Sequence, residues 1–172
     1  MSEFHRLIEQ QIPRLRRYAR ALTRNRDRSD DLVQNTLERA LVKEGFWQPG
    51  TNLRAWLFTI MHNEHVNTVR RDSRESAGID IERVSATLSA TTDPSASRQM
   101  IELDRALARL PLEQRQVILL VGLEGMSYNE TAEILSIPVG TVRSRLSRGR
   151  DGLRKLLGME ECHYPAAVPQ AA

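Results

Sequence analysis

The 172-residue chain has one cysteine, few aromatic residues and no long apolar run, and these shortages exclude whole classes of protein. A single cysteine, Cys162, cannot form an internal disulfide, which favours a reducing compartment. No stretch reaches the ~20 apolar residues that a membrane-spanning helix needs. Residues 1–10 also lack the continuous apolar core of a signal peptide. We therefore expect a cytoplasmic protein that does not insert into a membrane.

Patterns typical of enzymes and of cofactor-binding proteins are missing as well. His62 and His65 are not spaced as in a His-Glu-x-x-His zinc site, and no third ligand accompanies them. A pair of histidines on a helix surface is the better interpretation. Cys162 and His163 have no partner cysteine, no glycine-rich phosphate loop is present, and no Ser/His/Asp set can be argued. The sequence predicts neither catalysis nor a site for a metal, a cofactor or a small-molecule substrate.

Helical periodicity is what the sequence does have, and we find no convincing strand pattern and no internal repeat. In the first helix Pro13 is expected to start a new helix or to kink it. In the second, Asp27 or Ser29 is expected to cap the N-terminus, and the apolar face is predicted to include Leu37 and Leu41. The predicted helices cover about residues 7–22, 30–43, 53–71, 97–109, 112–123, 128–135 and 139–157.

Residues 76–97 differ in composition from both flanks, because they are rich in Ser, Thr and Ala and carry no aromatic side chain. At most a short ordered piece is expected there, around Ile79–Val84. The sequence thus predicts an all-α protein with two small helical domains, residues 1–75 and 98–158. A flexible linker, residues 76–97, joins them, and residues 159–172 form a disordered tail. A linker of this length leaves the relative placement of the domains open.

Residues 128–157 have the pattern of a helix-turn-helix with an arginine-rich second helix. Ala132 is small enough for the two helices to cross closely, and Val142 anchors the second helix in the core. Ser136 stands at the tight turn, where positive φ is favoured and glycine would be commoner. Thr141 is expected to be the N-cap or to lie in the first turn of the second helix.

The second helix of this motif separates into an apolar stripe and a polar face. The apolar stripe consists of Val142, Leu146, Gly149, Leu153 and Leu156. Arg143, Ser144, Ser147 and Arg148 form the polar face. Arginine reads guanine bidentately in the major groove, and serine can contact a base edge or a phosphate. A merely solvated amphipathic helix is disfavoured, because the turn, the small residue and the basic face coincide.

Five segments occur in an order that resembles the extracytoplasmic-function (ECF) sigma factors of bacteria. They are DDLVQNTLERAL (30–41), PGTNLRAWLFTIMHN (49–63), Arg70-Arg71, LPLEQRQVILL (110–120) and SYNETAEILSIPVGTVRSRLSRGR (127–150). The chain is most similar to the general-stress sigma factors of alphaproteobacteria. The resemblance implies a factor that binds core RNA polymerase and initiates transcription at promoters with −35 and −10 elements.

The resemblance also assigns roles to residues of this chain. The face that would dock on the clamp coiled coil of core polymerase comprises Asp30, Asp31, Gln34, Asn35 and Glu38. The residues implied to capture and open the −10 element are Gln48, Asn52, Thr59, Asn63, Asn67, Arg70 and Arg71. Those implied to contact the −35 element are Thr141, Arg143, Ser144, Arg145, Ser147, Arg148 and Arg150. The polymerase flap and an anti-sigma factor are the further partners that the family implies.

Two alternatives remain open on the residues alone. A stand-alone repressor or activator could carry the same helix-turn-helix, although the helical N-terminal half does not fit a receiver domain. The two tryptophans could stack on bases or belong to the core. Trp56 falls on an apolar stripe and is assigned to the core, whereas Trp47 at the edge of the loop could serve either purpose.

Overall fold

The computed structural model describes residues 3–76 and 98–159, and every regular element in these ranges is a helix, as predicted. The first half contains α1 (Glu3–Thr23), α2 (Arg26–Val42), a 3₁₀ turn (Glu44–Phe46) and α3 (Leu53–Ser76). The second half contains α4 (Arg98–Arg109), α5 (Leu112–Ile118) with a π turn (Leu119–Leu123), α6 (Tyr128–Leu135) and α7 (Val139–Leu156). The ordered piece expected at Ile79–Val84, most of the linker and the tail from residue 160 lie outside the described residues.

Helix α1 runs without interruption through Pro13, so this proline starts no new helix. Proline removes one backbone donor from a helix interior. Here burial on either side keeps the helix continuous, since Ile8, Leu15, Tyr18 and Leu22 all lie in the core. Packing of this stripe outweighs the local preference of one residue.

The N-cap of α2 is Asn25, and the prediction of Asp27 or Ser29 was wrong. The Asn25 side chain accepts a hydrogen bond from the backbone N–H of Arg28 at 2.9 Å. Ser29 lies inside the helix and is buried, with its hydroxyl donating to the carbonyl of Arg26 at 2.7 Å. Asn25, Asp27 and Ser29 all have side chains that cap helices well. Of these, Asn25 is the residue with the extended backbone that an N-cap needs.

The buried face of α2 also differs from the prediction at two positions. Leu41 was expected inside but is 42% exposed, and Leu37 is only partly buried. Thr36 is fully buried instead, because its hydroxyl donates to the carbonyl of Leu32 at 2.7 Å and needs no outside partner. An internally satisfied threonine can replace an apolar residue in a core.

The two halves pack against each other, and their buried residues form one hydrophobic cluster. Helix α3 lies across α6, and α1 contacts the π turn that follows α5. The first half is centred on α1, α2 and α3, where Tyr18 and Phe58 pack edge to face with ring centroids 5.1 Å apart. In the second half α7 packs on both α5 and α6. The relative placement of the two halves, which the sequence left open, is therefore a closed arrangement in which the halves are in direct contact.

Candidate nucleic-acid interface

The turn between α6 and α7 has the geometry that the helix-turn-helix pattern predicted. Ser136 adopts φ 53° and ψ 46°, the left-handed conformation expected at this position. The N–H of Ile137 then reaches back to the carbonyl of Ala132 at 3.0 Å and closes the end of α6. At the other end of α6, Ser127 and Glu130 form a reciprocal capping box. Both ends of this short helix are thus fixed by local hydrogen bonds.

Helix α7 is oriented by its apolar stripe. Val142 and Leu146 are buried, and Leu153 and Leu156 are partly buried against the same cluster. A Cβ atom on Gly149 would lie 2.6 Å from the Cδ1 atom of Ile118, so glycine permits the close approach of α7 to α5. This packing turns the opposite side of α7 toward solvent.

The exposed side of α7 is basic and polar. Four of the seven predicted −35 contacts are exposed, namely Arg143, Ser147, Arg148 and Arg150. Arg143 lies over the ring of Tyr128, with its guanidinium carbon 6.0 Å from the centroid. The partly buried Ser144 donates its hydroxyl to the carbonyl of Thr141 at 3.0 Å, which holds both in the first turns of the helix. Thr141 occupies the first turn and is not the N-cap, which is Pro138.

Arg145 differs from the other arginines of α7. Its guanidinium forms an ion pair with the Glu113 carboxylate on α5 at 2.9 Å, and its side chain is 23% exposed. It therefore lies on the side of α7 that faces α5. No local sequence pattern indicates this partner, because Glu113 lies 32 positions away along the chain.

Most residues of the predicted −10 set line one side of α3 and the loop before it. Six of the seven are exposed along the helix and the loop, namely Gln48, Asn52, Asn63, Asn67, Arg70 and Arg71. Thr59 is half-buried, and its hydroxyl donates to the carbonyl of Ala55 at 2.9 Å. Asn52 begins α3: its Oδ1 atom accepts a hydrogen bond from the N–H of Ala55 at 3.1 Å.

Both tryptophans pack near the start of α1. The ring of Phe4 lies 5.3 Å from that of Trp47 and 6.2 Å from that of Trp56, measured between centroids. Both indoles are partly buried against the core, so Trp47 packs on it in this conformation as Trp56 does. Beside Trp47, a surface cavity of about 540 Å³ is lined by Phe4, Pro49, Gly50 and Thr51, among others.

The polar face of α2 is complete on the surface. All five predicted polymerase contacts are exposed: Asp30, Asp31, Gln34, Asn35 and Glu38. The amide of Gln34 donates to the Glu38 carboxylate at 2.9 Å. Leu41, next along this side of α2, adds an apolar edge to the face.

The two histidines of α3, His62 and His65, are half-buried and do not form the pair on the helix surface that the sequence predicted. Burial lowers the pKa of His62, and burial together with nearby His62, Arg115 and Arg28 lowers the pKa of His65 to about 4. Both are therefore neutral at pH 7. Within residues 3–76 and 98–159, no group of three or more His, Cys, Asp or Glu side chains converges as a metal site would require.

Comparison with known proteins covers both halves of the chain. The family described as the sigma2 domain of PhyR matches residues 8–62, and sigma-70, region 4, matches residues 100–153. The ECF RNA polymerase sigma factor EcfG of Rhodopseudomonas palustris is 42% identical over 85% of this chain and 80% of its own length. The chain belongs to the ECF RNA polymerase sigma factors.

Further relatives of this ECF sigma factor support the same family assignment. SigE of Mycolicibacterium smegmatis is 36% identical over 91% of the chain, which spans 62% of that longer protein. The sigma factor RpoE of Bartonella quintana, solved in complex with the anti-sigma factor NepR, is 35% identical with a TM-score of 0.81. That match covers 94% of this chain and all of the other. The subgroup predicted from the sequence, the general-stress sigma factors of alphaproteobacteria, is confirmed.

As an ECF sigma factor, the protein binds core RNA polymerase, recognises promoter DNA and initiates transcription. Most of α7 lies within the match to region 4, and α2 and the first part of α3 lie within the match to the sigma2 domain. No helix among the described residues is long and apolar enough to cross a membrane.

Proposed function

We propose that α7 carries −35 recognition and that α3 with its preceding loop carries −10 capture. The observation that supports this most is the separation of faces on α7. Its apolar stripe is buried against α5 and α6, while Arg143, Ser147, Arg148 and Arg150 remain exposed on the other side. A helix held in this way presents its basic face as a unit to a major groove. The domains that do this are residues 1–75 and 98–158, joined by the linker 76–97.

The −10 contacts are proposed on the exposed amides and arginines of α3. Asn63 and Asn67 stand one helical turn apart and offer donors and acceptors to the edges of unpaired bases. Arg70 and Arg71 follow at the exposed end, where they hold phosphates. No nucleotide-hydrolysis motif was found in the sequence, so strand opening is driven by binding energy, and the factor has no catalytic activity of its own.

Core polymerase binds the polar face of α2 in this proposal. Hydrogen-bonding groups dominate this face, namely Asp31, Gln34, Asn35 and Glu38. Such an interface suits a partner that must be released once transcription has begun. The clamp coiled coil is the element expected here, and the flap is expected to contact the region 4 half. The factor acts in the cytoplasm, where core polymerase and promoter DNA meet.

Run-off transcription with purified core polymerase tests the central proposal. A library of promoters is transcribed with and without this protein. Initiation that depends on the protein, from promoters that share a −35/−10 pair, is the expected result. DNA binding without initiation would instead favour a stand-alone regulator with the same helix-turn-helix.

We also propose an anti-sigma factor as the regulator. The RpoE protein of Bartonella quintana, similar to this chain over its whole length, is bound to the anti-sigma factor NepR. An inhibitor of this kind covers the polar face of α2 and the basic faces of α3 and α7. Competition between core polymerase and a candidate inhibitor is the test. Mutually exclusive binding is expected, and a stable ternary complex would contradict simple occlusion.

A further inference from the structure

The end of α2 and the turn that follows it expose a cluster of apolar side chains. Val42 is 85% exposed and Phe46 is 83% exposed, which makes them the most exposed large apolar side chains in the described part of the chain. Leu41, which the sequence placed in the core, is 42% exposed beside them. Isolated apolar residues are common on protein surfaces, whereas a cluster of them is typical of a binding surface. We call Leu41, Val42 and Phe46 the apolar patch.

The turn that carries Phe46 is fixed by its neighbours. The N–H of Phe46 donates to the carbonyl of Lys43 at 2.9 Å, and the N–H of Trp47 donates to the carbonyl of Glu44 at 3.1 Å. The ring of Trp47 packs on Phe4, with centroids 5.3 Å apart, and is partly buried against the core. Because Trp47 is anchored inside, the turn holds the adjacent residue, Phe46, on the surface. The exposure of this phenylalanine is therefore built into the fold.

The apolar patch continues the polar face of α2. Residues 31, 34, 35, 38, 41 and 42 recur at helical intervals of three and four, and all of them are exposed. Phe46 follows in the turn joined to the end of this helix. One side of α2 thus carries carboxylates and amides along most of its length and apolar groups at its end.

The size of the patch indicates what kind of partner it fits. A stable interface buries roughly 1,200–2,000 Å² in total, which three side chains cannot supply. Interfaces commonly combine an apolar centre with polar surroundings, and the polar face of α2 is the adjoining polar surface. A second copy of this chain that extended the contact along α2 would bring acidic groups against each other, which like charges oppose. The patch therefore fits the partner of the polar face.

We propose that the apolar patch anchors this sigma factor to core RNA polymerase. Phe46 and Val42 enter an apolar depression of the polymerase beside the element that the polar face binds, and Leu41 joins the two parts. Buried aromatic anchors carry more binding energy than the polar contacts around them. The inference rests on the proposed docking of the polar face. Val42 and Phe46 lie between the two family-like segments 30–41 and 49–63, so the resemblance assigned them no role.

Titration of the full chain with purified core polymerase tests the anchor. A fluorophore on the single cysteine, Cys162, reports binding by anisotropy. Phe46→Ser should weaken the affinity about tenfold or more, as loss of a buried aromatic anchor does. Phe46→Leu keeps an apolar side chain and should retain most of the affinity. Unchanged affinity in Phe46→Ser would overturn the proposal.

Val42 offers a matched comparison with a valine elsewhere. Val42→Ser should weaken the affinity for core polymerase severalfold. Val69, on α3, is also exposed, at 42%, and lies outside the surface of α2. Val69→Ser should therefore leave the affinity unchanged. Equal losses in the two variants would show that any exposed valine matters as much, and the patch would lose its special role.

Asp31→Lys separates this inference from the proposed docking of the polar face. Losses of affinity in both Asp31→Lys and Phe46→Ser support the anchor as an extension of that face. A loss in Asp31→Lys alone would leave the docking of the polar face intact and overturn the anchor. If neither variant bound more weakly, core polymerase would not dock on this side of α2, and both proposals would fall.

Salt distinguishes the apolar contact from the charged one. The loss caused by Asp31→Lys should shrink between 0.1 and 1 M salt, because the screening length falls from about 10 Å to about 3 Å. The loss caused by Phe46→Ser should persist, since an apolar contact is not screened. A loss in Phe46→Ser that shrank in parallel would mean that the effect is electrostatic, and the apolar anchor would be refuted.

Unfolding and sedimentation of the free variants complete the test. Because Val42 and Phe46 are exposed, their serine variants should unfold at the same temperature as the unmodified chain. The free protein should sediment as a monomer with and without these substitutions. A dimer of the unmodified chain that Phe46→Ser dissociates would assign the patch to self-association and overturn its assignment to core polymerase.

Discussion

At the scale of single residues, the exposed and the paired arginines of α7 should behave differently. Arg148 is exposed on the polar face, and we predict that Arg148→Ala weakens promoter binding by about 1–3 kcal/mol if it reads a guanine. The measurement is promoter affinity of the reconstituted holoenzyme, with transcription from a cognate promoter as a second readout. Unchanged transcription would refute the assignment.

Arg145→Ala is the informative comparison for Arg148→Ala. Arg145 pairs with Glu113 on α5, so its removal should affect promoter affinity less than removal of Arg148. A larger loss for Arg145→Ala would mean that the ion pair breaks on DNA and that the guanidinium turns to a phosphate. Equal fold stability of the two variants has to be verified by thermal unfolding.

Ser136 is expected to be a site where glycine stabilises the protein. Its φ of 53° is unfavourable for a residue with a Cβ atom, and glycine adopts it freely. Ser136→Gly should raise the free energy of unfolding by about 0.5–1 kcal/mol, measured by urea denaturation. Ser73→Gly, at an exposed position inside α3, should lower it by a similar amount. A loss in both variants would contradict the strain argument.

The conformation and exposure of single residues were predictable from the sequence where a local rule decides them. The positive φ of Ser136 follows from the fixed geometry of one turn, and the exposure of Arg148 follows from helical periodicity. The N-cap of α2 was not predictable, because Asn25, Asp27 and Ser29 all satisfy the same local preference. The Arg145 partner depends on how α7 packs on α5, and no local pattern contains that information.

At the scale of elements, the contact of α7 with α5 depends on Gly149. A Cβ atom there would meet Cδ1 of Ile118 at 2.6 Å and its Cγ1 at 3.2 Å. We predict that Gly149→Ala lowers the free energy of unfolding by about 1–3 kcal/mol through overpacking, despite the better helix propensity of alanine. Gly140→Ala in the first turn of the same helix has open space and should be neutral or stabilising. Urea denaturation of both variants measures these changes in the free energy of unfolding.

Helix α3 should make the stability of the protein pH-dependent below neutrality. The pKa of His65 is about 4 in the folded chain, against 6.5 for an unperturbed histidine, chiefly because of burial. The unfolded chain therefore binds a proton more readily between these values. The contribution is fully present above pH 6.5 and is lost as pH falls toward 4, by up to about 3 kcal/mol.

Urea denaturation at pH 7.5 and pH 5 measures this effect. His65→Gln removes the titrating group and should reduce the difference in stability between the two pH values. Asn63→Gln, at an exposed position of the same helix, is the control substitution and should leave the difference unchanged. The same pH dependence in all three proteins would assign it to other groups.

The helices themselves were largely predictable, because their apolar stripes are long and regular. Helix α6 was predicted at its observed bounds, and its ends are set by Ser127 and Ser136. Deviations occur where packing replaces a rule, as in α1, which continues through Pro13, and α2, which buries Thr36 and exposes Leu41. In each case a tertiary contact or an internal hydrogen bond outweighs residue type.

At the scale of the whole molecule, the closed arrangement could not be predicted from the sequence. The residues that join the halves are far apart along the chain, as are Arg17 and Glu124 or Arg24 and Asp104. Periodicity predicts which side of each helix is apolar, yet it does not say which other helix will cover that side. A linker between the halves is compatible with both closed and open forms. Only the three-dimensional contacts distinguish them.

The Arg17–Glu124 pair leads to a prediction about the cooperativity of unfolding. Arg17→Ala leaves the fully buried Glu124 side chain without its cation, and the free energy of unfolding should fall by about 3–5 kcal/mol. Both tryptophans belong to the first half, so their fluorescence reports on that half alone, whereas circular dichroism reports on all helices. The two probes should give one coincident urea transition in the unmodified protein, because the core is continuous across the halves.

In Arg17→Ala the two transitions should separate, since the halves lose a main contact and unfold independently. Arg98→Ala, at an exposed ion pair inside α4, should change the midpoint little and keep the transitions coincident. If the transitions were already separate in the unmodified protein, the two halves would not be one cooperative unit. Coincident transitions in Arg17→Ala at lower stability would instead mean that the pair stabilises the fold without joining the halves. Contact between the halves would then depend on the Arg24–Asp104 pair and on Arg115, whose guanidinium donates to the carbonyl of Leu22 in α1.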